Sequence, residues 1–183
     1  MLRDSFICEI NKLFLASCNG RHYDLVYLDP HWDILGKIRD NFGKSLSAEN
    51  LKNISVPDIV CDESLLFMWS TAAKLNEALD LGKAWGFEFV GVPFIWEKQS
   101  NVDISQVEFV LMFKRGNMLF PRMTKDFQQI IREPVTEYWD KPVRVIETLT
   151  ERYPNHEKIE LFMGKSYFDW DSFSIEEVKD LYG

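Results

Sequence analysis

Strand-like runs of apolar residues alternate along the chain with segments of helical periodicity. The runs are short, and glycine, proline or charged residues that predict turns follow them. The five clearest are Asp24–Leu28, Ser64–Trp69, Phe87–Trp96, Val107–Phe113 and Lys158–Met163. This alternation predicts an α/β fold, in which helices cover both faces of a central sheet.

Two longer segments between the strands have the apolar spacing of amphipathic helices. The first spans Thr71–Trp85 and ends at Gly86, and the second begins after the capping residue Asp140 with Pro142 in its first turn. The side chains predicted to face the core are Ala72, Leu75, Leu79, Trp85, Val143, Ile146, Leu149 and Tyr153.

Two further helices have recognisable end signals. A short helix is predicted near Ser47, a good cap, and it should stop before Pro57. Ser174 and Glu177 match a capping box and predict a terminal helix. The segment Asn117–Tyr138 has no clear periodicity and receives no assignment.

The length and composition of the chain predict a single domain over residues 1–183. No apolar run approaches the roughly 20 residues of a membrane helix, and the N-terminus lacks the apolar region of a signal peptide. The three cysteines are widely spaced and form no Cys-x-x-Cys pair, so no metal site or disulfide framework is expected. A reducing, cytoplasmic location is therefore predicted.

Polar residues follow several of the predicted strands. Asp29-Pro30-His31-Trp32 comes directly after the first strand, Lys98 ends a later one, and Lys165 follows the last. Ligands of open α/β sheets bind outside the carboxyl ends of the strands. These positions are therefore the candidate functional site.

The tetrapeptide Asp29 to Trp32 has the groups that an exocyclic amine requires. The lone pair of such an amine is delocalised into the base, so the amine needs acceptors for its two hydrogens. The Asp29 carboxylate and the Pro30 carbonyl are acceptors, and the Trp32 ring can stack on a base. An ordinary turn is the alternative, because Asp-Pro also begins turns.

A series of segments along the chain resembles the MT-A type family of N6-adenine methyltransferases, which includes the catalytic subunit of the messenger-RNA adenosine methyltransferase. The family hallmark is an Asp-Pro-Pro-Trp motif after an apolar strand, and here YDLVYLDPHW occupies that place. In the family's order there follow ISVPDIVCDESLLFMW, KAWGFEF, FIWEK, VEFVLMFKRGN, DKPVRVIETLTERYP and KIELFMGKSYFDWD. The resemblance covers about residues 6–173.

This resemblance implies a Rossmann-like, S-adenosylmethionine-dependent methyltransferase in which the amine-binding motif precedes the main cofactor-binding strand, a permuted order. It implies that Asp29, Pro30, His31 and Trp32 form the catalytic motif. The implied cofactor contacts are Cys8, Glu9, Ile10, Asp29, Lys141 and Lys165. Lys141 carries a positive charge near a helix start, which a cofactor carboxylate would compensate; an exposed first-turn lysine is the alternative.

The substrate implied by the resemblance is adenine in nucleic acid, with DNA favoured over RNA because the chain is compact. The predicted substrate contacts are Trp32, Lys98, Lys114 and Arg115, of which the last two also fit a solvated turn. The net charge of −8 is unusual for a nucleic-acid-binding protein. We therefore expect the basic residues of Asn117–Lys125 and Lys141–Arg152 to form one positive face beside Asp29.

Two departures from the family pattern keep another function open. His31 replaces the second proline of the motif, and Ile175 stands where the family has an asparagine that binds the cofactor ribose. The family also contains degenerate copies that stabilise an active partner, so a non-enzymatic subunit of a homo- or heterodimer is the main alternative. Methylation of cytosine N4 or of a small amine is a third.

Overall fold

Seven strands form one sheet in the computed structural model, which describes residues 2–30, 48–99, 106–118, 127–136, 140–163 and 167–174. The strands are β1 (Tyr23–Leu28), β2 (Val60–Ser70), β3 (Glu88–Lys98), β4 (Val107–Arg115), β5 (Ile130–Glu133), β6 (Lys158–Leu161) and β7 (Asp171–Phe173). The α-helices are α1 (Leu2–Cys18), α2 (Ala48–Leu51), α3 (Leu75–Ala84) and α4 (Val143–Arg152). Short 3₁₀ helices cover Val56–Asp58 and Ala72–Lys74.

The strand order across the sheet is β5-β3-β4-β2-β1-β6-β7. β4 is antiparallel to its neighbours β2 and β3, and the other pairings in the sheet are parallel. This mostly parallel arrangement confirms the predicted α/β class and is the Rossmann-like form that the resemblance implies. β1 lies beside β6 although most of the chain separates them, as the permuted order implies.

Alternate side chains of β1 enter two separate cores, one on each face of the sheet. Val26 and Leu28 pack in one core with Ile10 and Phe14 of α1. Leu25 and Tyr27 pack in the other core with α4. The predicted helices on both faces are thus confirmed, and we call the second side of the sheet the α4 face.

Three elements were not predicted from the sequence. α1 places Ile10, Phe14 and Cys18 against the sheet at intervals of four residues, which is a helical spacing. β5 lies in the segment that received no assignment, and β7 has only three residues, too few to show an alternating pattern. None of the described helices is long and apolar enough to cross a membrane.

The predicted buried face of α3 is wrong at its beginning. Residues Ala72–Lys74 form a 3₁₀ helix, so the α-helical register begins only at Leu75. Ala72 and Leu75 are exposed and Ala78 and Leu81 are buried instead, whereas Trp85 is buried as predicted. The different residue spacing of a 3₁₀ turn rotates the first side chains away from the core.

The start of α4 also differs from the prediction. Pro142, rather than Asp140, is the residue that precedes the helix, and its side chain makes no capping hydrogen bond. Val143 is 51 % exposed, whereas Val145 is buried with the correctly predicted Ile146. The other capping prediction, Ser174 with Glu177, extends outside the described residues.

Gly116, in the turn after β4, is expected to resist substitution. Its φ is +66°, and a Cβ there would lie 2.5 Å from the backbone oxygen of Asp62. We expect Gly116→Ala to lower the free energy of unfolding by roughly 2 kcal/mol, measured by urea denaturation. Gly91→Ala is the matched control, because a Cβ on Gly91 meets no atom within 4 Å. Equal losses in the two variants would contradict the expectation.

Candidate active site

Polar side chains replace apolar ones where the strands reach one edge of the sheet. On the α4 face, Tyr27 of β1 is followed two residues later by Asp29, and Trp96 of β3 by Lys98. β4 runs in the opposite direction, so its early residue Glu108 lies at this same edge. Because residues two apart on a strand share a face, Asp29, Lys98 and Glu108 meet on one side of the sheet.

Lys141, two residues before α4, joins these groups into a chain of four charges, which we call the charge network. Lys98 Nζ lies 2.7 Å from Glu108 Oε1. Lys141 Nζ donates a hydrogen bond to Glu108 Oε2 and lies 3.5 Å from Asp29 Oδ2. The two carboxylates and two ammonium groups balance each other.

The charge network is buried, and its members stabilise each other's charged forms. The side chains of Lys98 and Asp29 are only 4 % and 6 % exposed. Burial alone would raise the pKa of Glu108, but Lys141 and Lys98 outweigh it and hold that pKa below its usual value. Burial alone would lower the pKa of Lys141, but Asp29 and Glu108 outweigh it and raise that pKa.

Aromatic rings form the floor beneath the charge network. The rings of Trp69 and Trp96 meet edge to face at 6.2 Å. Lys141 Nζ lies 5.3 Å from the Trp69 ring and Lys98 Nζ 5.6 Å from the Trp96 ring, which are favourable cation–π distances. Trp69 Nε1 donates a 2.6 Å hydrogen bond to the hydroxyl of Tyr27. The floor is therefore rigid, and its rings attract the lysines above them.

A third buried carboxylate lies on β6, the strand next to β1. Glu160 is fully buried, and its Oε2 accepts a 3.1 Å hydrogen bond from the backbone N–H of Met163. Tyr167 lies near Glu160, Asp140 and Asp29. Burial raises the pKa of Tyr167 to about 12, and the negative charges of these three carboxylates add to that rise. The edge around Asp29 is thus rich in negative charge, which favours a cationic ligand.

Comparison with known proteins identifies the family of this chain. Residues 23–175 match the family described as MT-A70. The chain is also similar to the type II methyltransferase M.MunI of Mycoplasma sp., with 32 % identity over 182 residues, covering 85 % of this chain and 78 % of that protein. The chain belongs to the MT-A70 family. MT-A70 proteins are S-adenosylmethionine-dependent methyltransferases, and this chain is a methyltransferase.

The structure places part of the MT-A70 motif at the charge network. Asp29 and Pro30 are both buried directly after β1, and the N–H of Asp29 donates to the carbonyl of Leu161 on β6. Lys141 lies in contact with Asp29, and the alternative of an exposed lysine is wrong because only 13 % of its side chain is exposed. Asp29 and Glu108 of the chain itself provide the compensation for its charge. His31, Trp32 and Lys165 lie outside the described residues.

The predicted cofactor segment Cys8-Glu9-Ile10 lies in α1. Ile10 is buried in the core on the opposite face of the sheet from Asp29, while Cys8 and Glu9 are exposed. The Ile10 side chain is therefore separated from Asp29 by the sheet. A cofactor contact by Cys8 or Glu9 stays a prediction.

The predicted substrate-binding lysines and arginine lie in different places. Lys98 is buried in the charge network, where its ammonium group pairs with Glu108, and its contact with the substrate stays a prediction. Lys114 Nζ lies 3.6 Å from Glu88 Oε2, and the Arg115 guanidinium group donates a hydrogen bond to the carbonyl of Pro57. Both lie at the far end of β4, at the opposite edge of the sheet, because β4 runs antiparallel. The structure does not bring them together with Asp29, and a phosphate contact at that edge stays a prediction.

The prediction of one positive face beside Asp29 fails for the part that the structure describes. Lys141 is buried, and the outer face of α4 carries Glu147 and Glu151 together with Arg144 and Arg152. Acidic and basic side chains thus alternate on this helix. Residues 119–126 of the other predicted segment lie outside the described residues.

Sequence reasoning missed Glu108 and Glu160 as members of the site. Each is a carboxylate on a strand, and the residues directly before and after it in the sequence are apolar. Glu108 shares a strand face with Val110 and Met112, which are buried in the core of the α4 face. A charged residue that shares a strand face with core residues is costly unless it is paired, and this signal could have found Glu108.

Proposed function

We propose that this methyltransferase transfers the methyl group of S-adenosylmethionine to the N6 amine of adenine in DNA. The observation that carries the proposal is the buried Asp29-Pro30 pair at the carboxyl edge of β1, next to the charge network. Its carboxylate and carbonyl are the acceptors that a delocalised amine requires. Membership of the MT-A70 family and similarity to a type II methyltransferase support the methyl transfer and the DNA substrate.

The charges at this edge fit S-adenosylmethionine, which carries a sulfonium, an ammonium and a carboxylate group. Asp29 would bind the cationic part and Lys141 the carboxylate. The family resemblance adds Cys8, Glu9 and Lys165 as contacts. When bound, the cofactor supplies an activated methyl group whose departure leaves a neutral thioether.

Asp29 would orient the amine and stabilise the positive charge that develops on its nitrogen. A neutral leaving group needs no general acid, so positioning and electrostatics supply most of the acceleration. A preorganised charged acceptor of this kind contributes roughly 10²–10³-fold in rate. Pro30 would accept the second amine hydrogen through its carbonyl. His31 completes the motif and Trp32 would form one wall of the base slot.

The substrate base must leave the duplex stack to reach Asp29, since the carboxylate is buried. This requirement costs a few kcal/mol for a paired base and less for a single strand. We therefore expect the protein to methylate single-stranded DNA in addition to duplex DNA.

A methyl-transfer assay on three nucleic acids tests this function. The protein is incubated with methyl-labelled S-adenosylmethionine and amplified, unmethylated genomic DNA, its heat-denatured form, or RNA transcribed from it. The products are digested to nucleosides and separated. We expect label in N6-methyladenine from the DNA samples.

The other outcomes distinguish the alternatives. Label only in the RNA sample overturns the DNA substrate, and label in N4-methylcytosine overturns the adenine. If no label is transferred and calorimetry detects no binding of S-adenosylmethionine, the enzyme function of the isolated chain is overturned in favour of a non-enzymatic subunit of a homo- or heterodimer.

A further inference from the structure

The two ion pairs of Lys141 are unequal. Its ammonium group donates a hydrogen bond to Glu108, whereas Asp29 Oδ2 lies at 3.5 Å, beyond the usual length of a charge-assisted hydrogen bond. Lys98 binds the other oxygen of Glu108 at 2.7 Å. Glu108 therefore lies between the two lysines and holds Lys141 more tightly than Asp29 does.

The charges of these four residues explain why this arrangement matters. Without Glu108, the two ammonium groups would lose the carboxylate that they share, and the net charge of the site would become more positive by one unit. Lys141 would also be drawn closer to Asp29. Both effects would weaken the site for a cation, because the buried position of the network limits screening by solvent.

We propose that Glu108 is a positioning residue that acts through Lys141 to keep the Asp29 edge selective for the cationic sulfonium cofactor over its neutral-sulfur product. This inference rests on the proposed function, since it takes S-adenosylmethionine as the cofactor. The sulfonium has to lie close to the amine that Asp29 binds, because the methyl group passes directly between them. S-adenosylhomocysteine, the product, lacks the methyl group and the charge on sulfur. A site with balanced lysines thus binds the cofactor and releases the product.

The test is to measure the affinities of both molecules for the apo protein by calorimetry. One unit charge acting over several ångströms in a partly buried site changes affinity by roughly tenfold. We expect Glu108→Gln to lower the affinity for S-adenosylmethionine by about tenfold and the affinity for S-adenosylhomocysteine by about twofold or less. Glu108→Asp should retain most of the wild-type preference, because it keeps the charge.

A second variant tests the same idea in the opposite direction. Lys98→Met removes one positive charge but leaves Glu108 with Lys141, so it should increase the preference for S-adenosylmethionine by several-fold. This variant also serves if thermal unfolding shows that Glu108→Gln does not fold. The control is Glu97→Gln, whose exposed carboxylate pairs with Arg132 at the surface and should leave both affinities unchanged.

Equal losses of both affinities in Glu108→Gln, or an unchanged ratio in both network variants, would overturn the proposal and leave Glu108 with a structural role. If the wild-type protein binds neither molecule, the proposed function fails first. If the wild type binds both molecules but the ratio of the two affinities is unchanged in the variants, only the role proposed for Glu108 is overturned.

Discussion

Replacing Asp29 with asparagine is expected to lower methyl transfer to DNA by roughly 10²–10³-fold. The amide has nearly the shape of the carboxylate, but it cannot stabilise the positive charge that develops on the amine. The rate is measured with labelled cofactor on whichever DNA sample, duplex or heat-denatured, the wild-type protein methylates faster. Binding of the cofactor should also weaken, because Asp29 is its proposed cationic contact.

The folded state should largely survive this substitution. Lys141 keeps its hydrogen bond with Glu108, so the free energy of unfolding should change by only about 1–2 kcal/mol. Asp62→Asn is the matched control, because its exposed side chain lies on β2 away from the charge network. If Asp29→Asn transfers methyl groups as fast as Asp62→Asn, the amine binds elsewhere and the proposed site is wrong.

Replacing Lys158 with methionine is expected to cause the largest loss of stability. The Lys158 side chain is 1 % exposed, yet its ammonium group has three acceptors: the carbonyls of Tyr153 and His156 and the carboxylate of Asp169, which lies at 2.8 Å. It joins the segment after α4 to the turn before β7. Methionine leaves buried acceptors without a donor, so we expect a loss of roughly 3 kcal/mol.

Urea denaturation of the two proteins measures this loss. Lys74→Met is the control, because Lys74 pairs with Glu77 on the surface and should cost less than about 1 kcal/mol. A cost for Lys158→Met no greater than that of Lys74→Met would contradict the structural role. Methyl transfer at a temperature where the variant is folded should be unchanged, since Lys158 begins β6 at the edge opposite Asp29.

The strands were predicted more accurately than the buried faces of the helices. In the run Ser64–Trp69 every residue after Ser64 is apolar, so its location does not depend on a register. The faces of α3 and α4 depend on where each helix begins, and a 3₁₀ turn at Ala72–Lys74 or a helix start at Val143 shifts the face. α1 was missed although its core residues have helical spacing, and β7 was missed because it has only three residues.

Local sequence also located the centre of the candidate site. Asp29 follows an apolar strand, and the edge rule for parallel sheets predicts that such a residue meets a ligand. Lys141 came only from the family resemblance. Nothing in the neighbourhood of Glu108 or Lys98 indicates that they contact each other, because nine residues separate them along the chain and the contact depends on how β3 and β4 pair.

By itself, the sequence determined the α/β class, the main strands and the Asp-Pro motif at a strand end, because each of these is recorded in neighbouring residues. Only the tertiary structure decided which charges share an edge. The antiparallel direction of β4 brings Glu108 to Asp29 and Lys141 and carries Lys114 and Arg115 away. Strand direction is a property of the whole sheet, so no local pattern of charges predicts the network that surrounds Asp29.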